Sequence, residues 1–409
     1  MSIEAPILSL EKGQKLGKWK ILKKLDEGGF GSVFKVESLD GKKVAALKIE
    51  SNAAEGGSAI KLEMQVLNLV TDNGKTPTPH VPLISHAAKR TKFCYLVMTL
   101  LGDNLKYLKQ VRRSTRKNER TTKPQACKNE RMTEKTWSRV GVQCLYGLKL
   151  VHDKGFVHRD IKPNNFVLGH RDDAERARIV HVLDFGLSRQ YAYMNKTTGE
   201  FTARKARGTA EFRGTLRYVS PNVHFKLEQG RQDDLWSLFY VLIELHCGLP
   251  WQTDRDKSMV EEKKCHMSDK DVCLNFPAEM HCVLPHLREC NVYTRPDYSF
   301  SLYYGALLKV MKRTGTKPTD PYDWETPEDV KKVLAKNSKP AAWEEANEFF
   351  NSDPVKINEA PTRKTADKNQ SKLIASNKDK KHLSLKTEHT VEEKLKKKKT
   401  SSSDVDVQT

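Results

Sequence analysis

Apolar periodicity changes character once along this chain, and that change limits the fold more than any composition value does. From about Gly17 to Leu47, short β-like runs alternate with turns: WKILKKL, GSVFKVE, the turn LDGKK, then VAALKIE. Strand-forming runs punctuated by turn residues read as an antiparallel meander. Residues 58–70 (SAIKLEMQVLNLV) place apolar side chains at 60, 62, 66, 67, 69 and 70, which is helical spacing, and FCYLVMTLL at 93–101 reads as a buried strand. Beyond Trp137 the long runs WSRVGVQCLYGLKLVHDKG and DDLWSLFYVLIELHCG are amphipathic or buried helices. The expectation is an α+β protein of two lobes, a small β-rich one with one main helix and a larger, mainly helical one.

Composition narrows the partners. The chain has 409 residues, 37% of them hydrophobic, enough for one large domain or two ordinary ones. Its 72 Lys+Arg against 52 Asp+Glu give +20 at pH 7, which favours an anionic partner: nucleotide, phosphoprotein, acidic polypeptide, nucleic acid or lipid surface. Basic residues without aromatic interleaving or finger spacing argue against nucleic acid. Eight cysteines without a CxxC pair, and no signal segment at Met1–Leu10, point to reduced thiols in the cytoplasm, with the nucleus as a second location. The last four, at 265, 273, 282 and 290, read as core residues rather than zinc ligands. Leu235–Trp251 is interrupted by Ser237, Glu244 and His246, so it reads as a buried helix and not a membrane span.

Two stretches fall outside the periodic pattern. Residues 109–131 hold nine Lys/Arg and two Glu with no apolar period, a solvated basic insertion. Residues 353–409 hold fourteen Lys/Arg and nine Asp/Glu, including KLKKKK at 394–399, and bury too little apolar surface to offset chain entropy. The expected organisation is an extension at 1–15, a domain at 16–335 divided near 101/102, and a linker with a disordered Lys-rich tail at 336–409.

Residues with chemical meaning cluster in order. EGGFGSV at 27–33 is a glycine-rich turn whose amides can approach phosphate oxygens. Seventeen residues after Gly31, Lys48 interrupts the apolar run VAALK, where it needs an anionic partner. Glu63, one helical turn before Leu67 on the same face, can supply it. HRDIKPNN at 158–165 and DFG at 184–186 then concentrate a base (Asp160), a cation (Lys162), an amide (Asn165) and a second carboxylate (Asp184). Such a set suits phosphoryl transfer from ATP, in which Asp160 accepts the hydroxyl proton, Lys162 steadies the phosphate, and Asn165 and Asp184 hold Mg²⁺. His158 and Phe185 read as packing residues beside these acids.

In this ordered set the sequence resembles the protein kinase family over about 300 residues, with the fold of a small and a large lobe that this implies. GTLRYVSPNVH (214–224) is similar to the pattern of the casein kinase 1 group, and GRQDDLWSLFYVLIELHCGLPW (230–251) with DWE (323–325) looks most like its tau-tubulin kinase branch. The resemblance implies a serine/threonine protein kinase using ATP and Mg²⁺ on acidic or phosphorylated protein substrates, cytoskeletal ones among them, and acting as a monomer. It implies an ATP pocket of Gly28, Gly29, Phe30, Gly31, Val33, Ala46, Lys48 and Glu63, with Met98 as gatekeeper and Thr99–Leu101 as hinge. Asp234 would anchor the catalytic loop from below. Arg217 would contact an acidic or phosphorylated residue of the substrate, with Lys257 or Arg255 as a second contact.

Two departures stand out. Asp26 falls where the first loop glycine of the family normally stands, and the insertion at 109–131 is longer than that group usually carries. Asp26 motivates the alternative of a pseudokinase-like scaffold or binding module. For Arg217 the alternative is a bracing role within its own loop.

Overall fold

The structure, a computed structural model, describes residues 10–28, 31–53, 58–75, 78–112, 125–126, 131–299 and 301–355. The tail beyond 355, most of the 109–131 insertion, and Gly29 and Phe30 lie outside the described residues.

The meander is present. β1 (Lys15–Leu16), β2 (Trp19–Gly28), β3 (Gly31–Ser38), β4 (Val44–Ser51), β5 (Ile84–Lys89) and β6 (Phe93–Thr99) form an antiparallel sheet of order β1-β2-β3-β4-β6-β5. Alternate residues of β3 and β4, among them Phe34, Val36, Leu47 and Ile49, bury one face with Trp19, Tyr95 and Val97, the period-two pattern that strands require. α1 (Ile60–Val70) packs on the other side, burying Ile60, Val66, Leu67 and Val70.

The sequence expectation treated 93–101 as one strand. The chain instead leaves the sheet after Thr99, and β7 (Leu101–Asn104) pairs with β8 (Phe166–Gly169) of the larger lobe, which also pairs with β9 (Val180–Val182). A single covalent crossing thus links two sheets. Strand β5 was not expected from the sequence.

The larger lobe is built on α2 (Glu134–His152) and α3 (Arg231–His246), both buried along nearly their whole length. Among the described residues no helix is long and apolar enough to cross a membrane. Of the four cysteines expected in the core, Cys273 and Cys290 are buried, Cys265 is half-buried and Cys282 is exposed, because Cys282 immediately precedes a short surface helix, Val283–Glu289.

The expected domain end near residue 335 is too early. Trp343, Ala346, Phe350 and Val355 are buried, and Phe350 stacks on Tyr304 with ring centroids 4.4 Å apart. Scattered charges in this stretch hide its apolar residues from a periodicity reading.

Candidate active site

Strand register assembles the small-lobe half of the site. Val33 lies opposite Lys48 on β3 and β4, and Ala46 lies opposite Met98 on β4 and β6, so four of the expected pocket residues line one region of the sheet. Gly28 faces Gly31 across the hairpin. Gly31 has φ +155°, and a Cβ there would strike the Ile49 carbonyl, so only glycine lets the turn lie this close to β4. Thr99 closes the sheet through its amide to the Leu83 carbonyl at 3.0 Å, after which Leu101 opens β7.

Lys48 ties the lobes together. Its Nζ lies 2.8 Å from Glu63, 3.2 Å from Asp184 and 3.4 Å from Glu50. Burial opposes the charge on Lys48, but Glu63, Asp184 and Glu50 outweigh it and raise its pKa. Burial raises the Glu63 pKa while Lys48 pulls it down. Burial likewise works to raise Asp184, yet Lys48, His158 and Lys162 hold it below the ordinary carboxylate value. Glu50 escaped the sequence reading although it stands two residues from Lys48, hence on the same strand face. Its other oxygen accepts from the Ser58 hydroxyl at 2.8 Å and the Ile60 amide at 3.2 Å, which fixes the start of α1 and so the placement of Glu63.

The large-lobe half is a buried loop. Asp160 Oδ2 accepts from Lys162 Nζ at 2.6 Å and its Oδ1 accepts from Thr215 Oγ1 at 2.7 Å. Asn165 donates through Nδ2 to the Asp160 carbonyl at 2.9 Å, which turns its amide oxygen away from that carbonyl. Asp184 adopts a left-handed backbone, φ +65°, at the start of the turn Phe185–Leu187. His158 is buried, its ring 5.2 Å from Phe185 and its Nε2 2.9 Å from the Leu183 carbonyl, a packing position.

Asp234 organises this loop from beneath. It accepts from the backbone amides of His158 (2.6 Å) and Arg159 (2.8 Å) and meets His152 Nε2 at 2.9 Å. Burial alone would raise its pKa, but His152 and the loop amides hold it below the ordinary value. Burial lowers the pKa of His152 itself. Gly214, at φ +109°, lies where a Cβ would press on the Arg159 carbonyl, so a glycine is needed to bring the 214–219 loop against the catalytic loop.

The residues expected on the substrate side are less gathered. Arg217 meets Glu244 at 3.1 Å and donates to the Gln252 carbonyl at 3.2 Å, with about 41% of its side chain exposed. Lys257 is exposed at the first turn of α4 (Lys257–His266), as Arg255 is just before it. Asp26 is exposed on β2 and accepts the Glu27 amide at 2.8 Å.

The donor set fits a hard cation. Asp184 and Asn165 offer two oxygens, and among the described residues no group of three or more His, Cys, Asp or Glu could hold a metal alone, so phosphate and water oxygens would complete the shell.

A half-buried lysine on a buried glutamate, a carboxylate paired with a lysine two residues on, and a left-handed Asp before Phe-Gly together make a site of the protein kinase type between two lobes. The protein kinase domain matches residues 19–302. The chain is 42% identical over 304 residues to the inactive tau-tubulin kinase ttbk-6 of Caenorhabditis elegans, covering 74% of this chain and 97% of that one. A provisionally named serine/threonine-protein kinase of the same organism is 36% identical over 333 residues, 81% of this chain and 88% of the relative. One from Dictyostelium discoideum is 32% identical over 310 residues, 76% of this chain but 57% of the relative. The chain belongs to the protein kinase family, on the tau-tubulin kinase branch of the casein kinase 1 group.

Proposed function

We propose that this chain is a catalytically active serine/threonine protein kinase that transfers the γ-phosphate of MgATP to protein hydroxyls. The observation that carries the reading is Lys48 held at once by Glu63 and Asp184, at 2.8 and 3.2 Å, because it joins the small-lobe phosphate anchor to the metal-binding carboxylate. Asp160 orients the attacking hydroxyl and accepts its proton. Lys162, already on that carboxylate, offers its positive charge to the transferring phosphate. Mg²⁺, when bound through Asn165 and Asp184, would neutralise phosphate charge. Lys162 two residues after the catalytic aspartate follows the serine/threonine pattern of the family.

Acidic or phosphorylated protein substrates, cytoskeletal proteins among them, suit the exposed Lys257 and Arg255 and the exposed part of Arg217. A monomer working in the cytoplasm, and in the nucleus, fits the sequence expectations. Phosphoproteomic comparison of wild type with Asp184→Ala tests activity, residue specificity and substrate context together. Loss of a Ser/Thr-centred set of sites in the variant is expected, and identical phosphorylation in both would overturn the reading.

The scaffold reading draws support from Asp26 and from the inactive label of ttbk-6. Against it stand Lys48, Glu63, Asp160, Asn165 and Asp184, all retained and brought together. A scaffold would bind nucleotide without turnover, or not bind it.

A further inference from the structure

Residues 341–355 lie wholly beyond the span matched by the kinase family, yet Trp343, Ala346 and Phe350 are buried in the main core and Val355 is buried beside Val157, which immediately precedes His158. We propose that this segment is a positioning element of the active site, acting through Asp353 and Val355.

Asp353 lies 3.8 Å from Arg231 and 3.3 Å from Arg295. Each guanidinium sits over a tyrosine ring, Arg231 over Tyr191 at 5.0 Å and Arg295 over Tyr298 at 5.6 Å. Both tyrosine hydroxyls meet one residue: Tyr191 donates to the His152 carbonyl at 2.6 Å, and Tyr298 lies 2.7 Å from His152 Nδ1. The other ring nitrogen of His152 is bonded to Asp234, which holds the amides of His158 and Arg159. A continuous path of charged, cation–π and hydrogen-bonded contacts therefore runs from Asp353 to the residue before Asp160.

Val355 adds an apolar contact to the same region. It is fully buried in a small cluster with Val157, Tyr191 and Ala192, separate from the main core. Val157 immediately precedes His158, and the amides of Tyr191 and Ala192 bond to the Gly155 carbonyl at 2.8 and 3.2 Å. Val355 thus covers the point where the strand after Asp184 joins the strand before the catalytic loop. Arg295 also donates to the Phe350 and Ser352 carbonyls at 3.2 and 2.9 Å, which sets the course of the segment toward that point. A segment serving only general stability needs its apolar anchors Trp343 and Phe350. Asp353 and Val355 instead contact the active-site scaffold.

The proposal rests on the kinase reading for its kinetic readout and is independent of it for its structural one. In the full chain, Asp353→Asn and Val355→Asp should each lower kcat about tenfold, with the Michaelis constant for ATP within about twofold, well below the melting temperature. Hydrogen exchange at the Tyr191 and Ala192 amides should quicken in both variants, while amides in the middle of α3 should keep wild-type exchange. Asp353→Asn combined with Tyr191→Phe should cost less than the sum of the two, since both interrupt one path. Variants that melt lower but keep wild-type kcat and wild-type exchange at 191–192 would overturn the proposal. If the wild type transfers no phosphate, local exchange at 191–192 still decides it: unchanged exchange overturns it, faster exchange supports it.

Discussion

Thr215 Oγ1 donates to Asp160 Oδ1 at 2.7 Å, so a hydroxyl of the 214–219 loop fixes the carboxylate proposed as the proton acceptor. Thr215→Val should lower kcat about tenfold without a large change in melting temperature, and Thr215→Ser should keep most of the activity. Steady-state kinetics beside thermal denaturation checks this. The same contact bears on regulation. A phosphate on Thr215 would meet Asp160, so activity should not depend on phosphorylating it, and phosphatase treatment should leave the rate within about twofold.

Asp26 is exposed, and its carboxylate accepts its neighbour's amide rather than joining the Lys48 cluster. Replacing it with glycine removes a negative charge near the phosphate path and frees the loop. Asp26→Gly should bind MgATP as tightly as wild type or more tightly in a thermal-shift titration. Clear weakening would mean that the turn needs this carboxylate.

Acid should destabilise the fold through two buried histidines. Burial depresses His181 to about 4 and His80 to about 3, His80 also feeling His181, and the Nε2 atoms of both are buried without a hydrogen-bond partner. Below the ordinary histidine value of 6.5 the unfolded chain takes up these protons and the native one does not, so stability is full above 6.5 and falls as pH drops toward 4. Asp233, raised to about 6 mainly by burial, works the other way and is stabilising below that pH, offsetting one proton of the two. Stability should therefore fall as pH drops from 6 to 4, less steeply than the two histidines alone would make it. Urea denaturation at several pH values checks it, and His181→Gln should flatten the slope.

Much of the site was legible because its residues are chemically costly where they stand. A lysine in VAALK, two aspartates flanking buried runs and a glycine pair in a hairpin all need a reason, and their order supplied one. Thr215 and Glu50 were not legible as site residues. A threonine beside a glycine and a glutamate near a strand end are ordinary in any chain, and their roles depend on contacts spanning 55 residues in the one case and on reaching Lys48 and the start of α1 in the other. The boundary near 335 failed for a related reason: Trp343, Phe350 and Val355 are spaced irregularly because they dock on a preformed lobe rather than forming a periodic face.

Arg217 is shared between Glu244 and a backbone carbonyl, whereas Lys257 stands free in solvent at a helix start. Lys257→Ala should raise the Michaelis constant for acidic or phosphorylated peptides by severalfold and spare neutral ones. Arg217→Ala should do the same and also lower the melting temperature, since it leaves Glu244 without its guanidinium. Peptide-array kinetics with circular dichroism checks both. Unchanged acidic preference in the two variants would remove these residues from substrate reading.

The central claim is phosphotransfer by this chain's own residues. The direct measurement follows radiolabelled γ-phosphate from MgATP into an acidic protein such as casein, comparing wild type with Asp160→Ala and Asp184→Ala. Wild type should label serine and threonine, and both variants should fall by about a thousandfold, with Asp160→Ala still binding MgATP. Wild-type labelling no greater than that of Asp160→Ala would contradict the account.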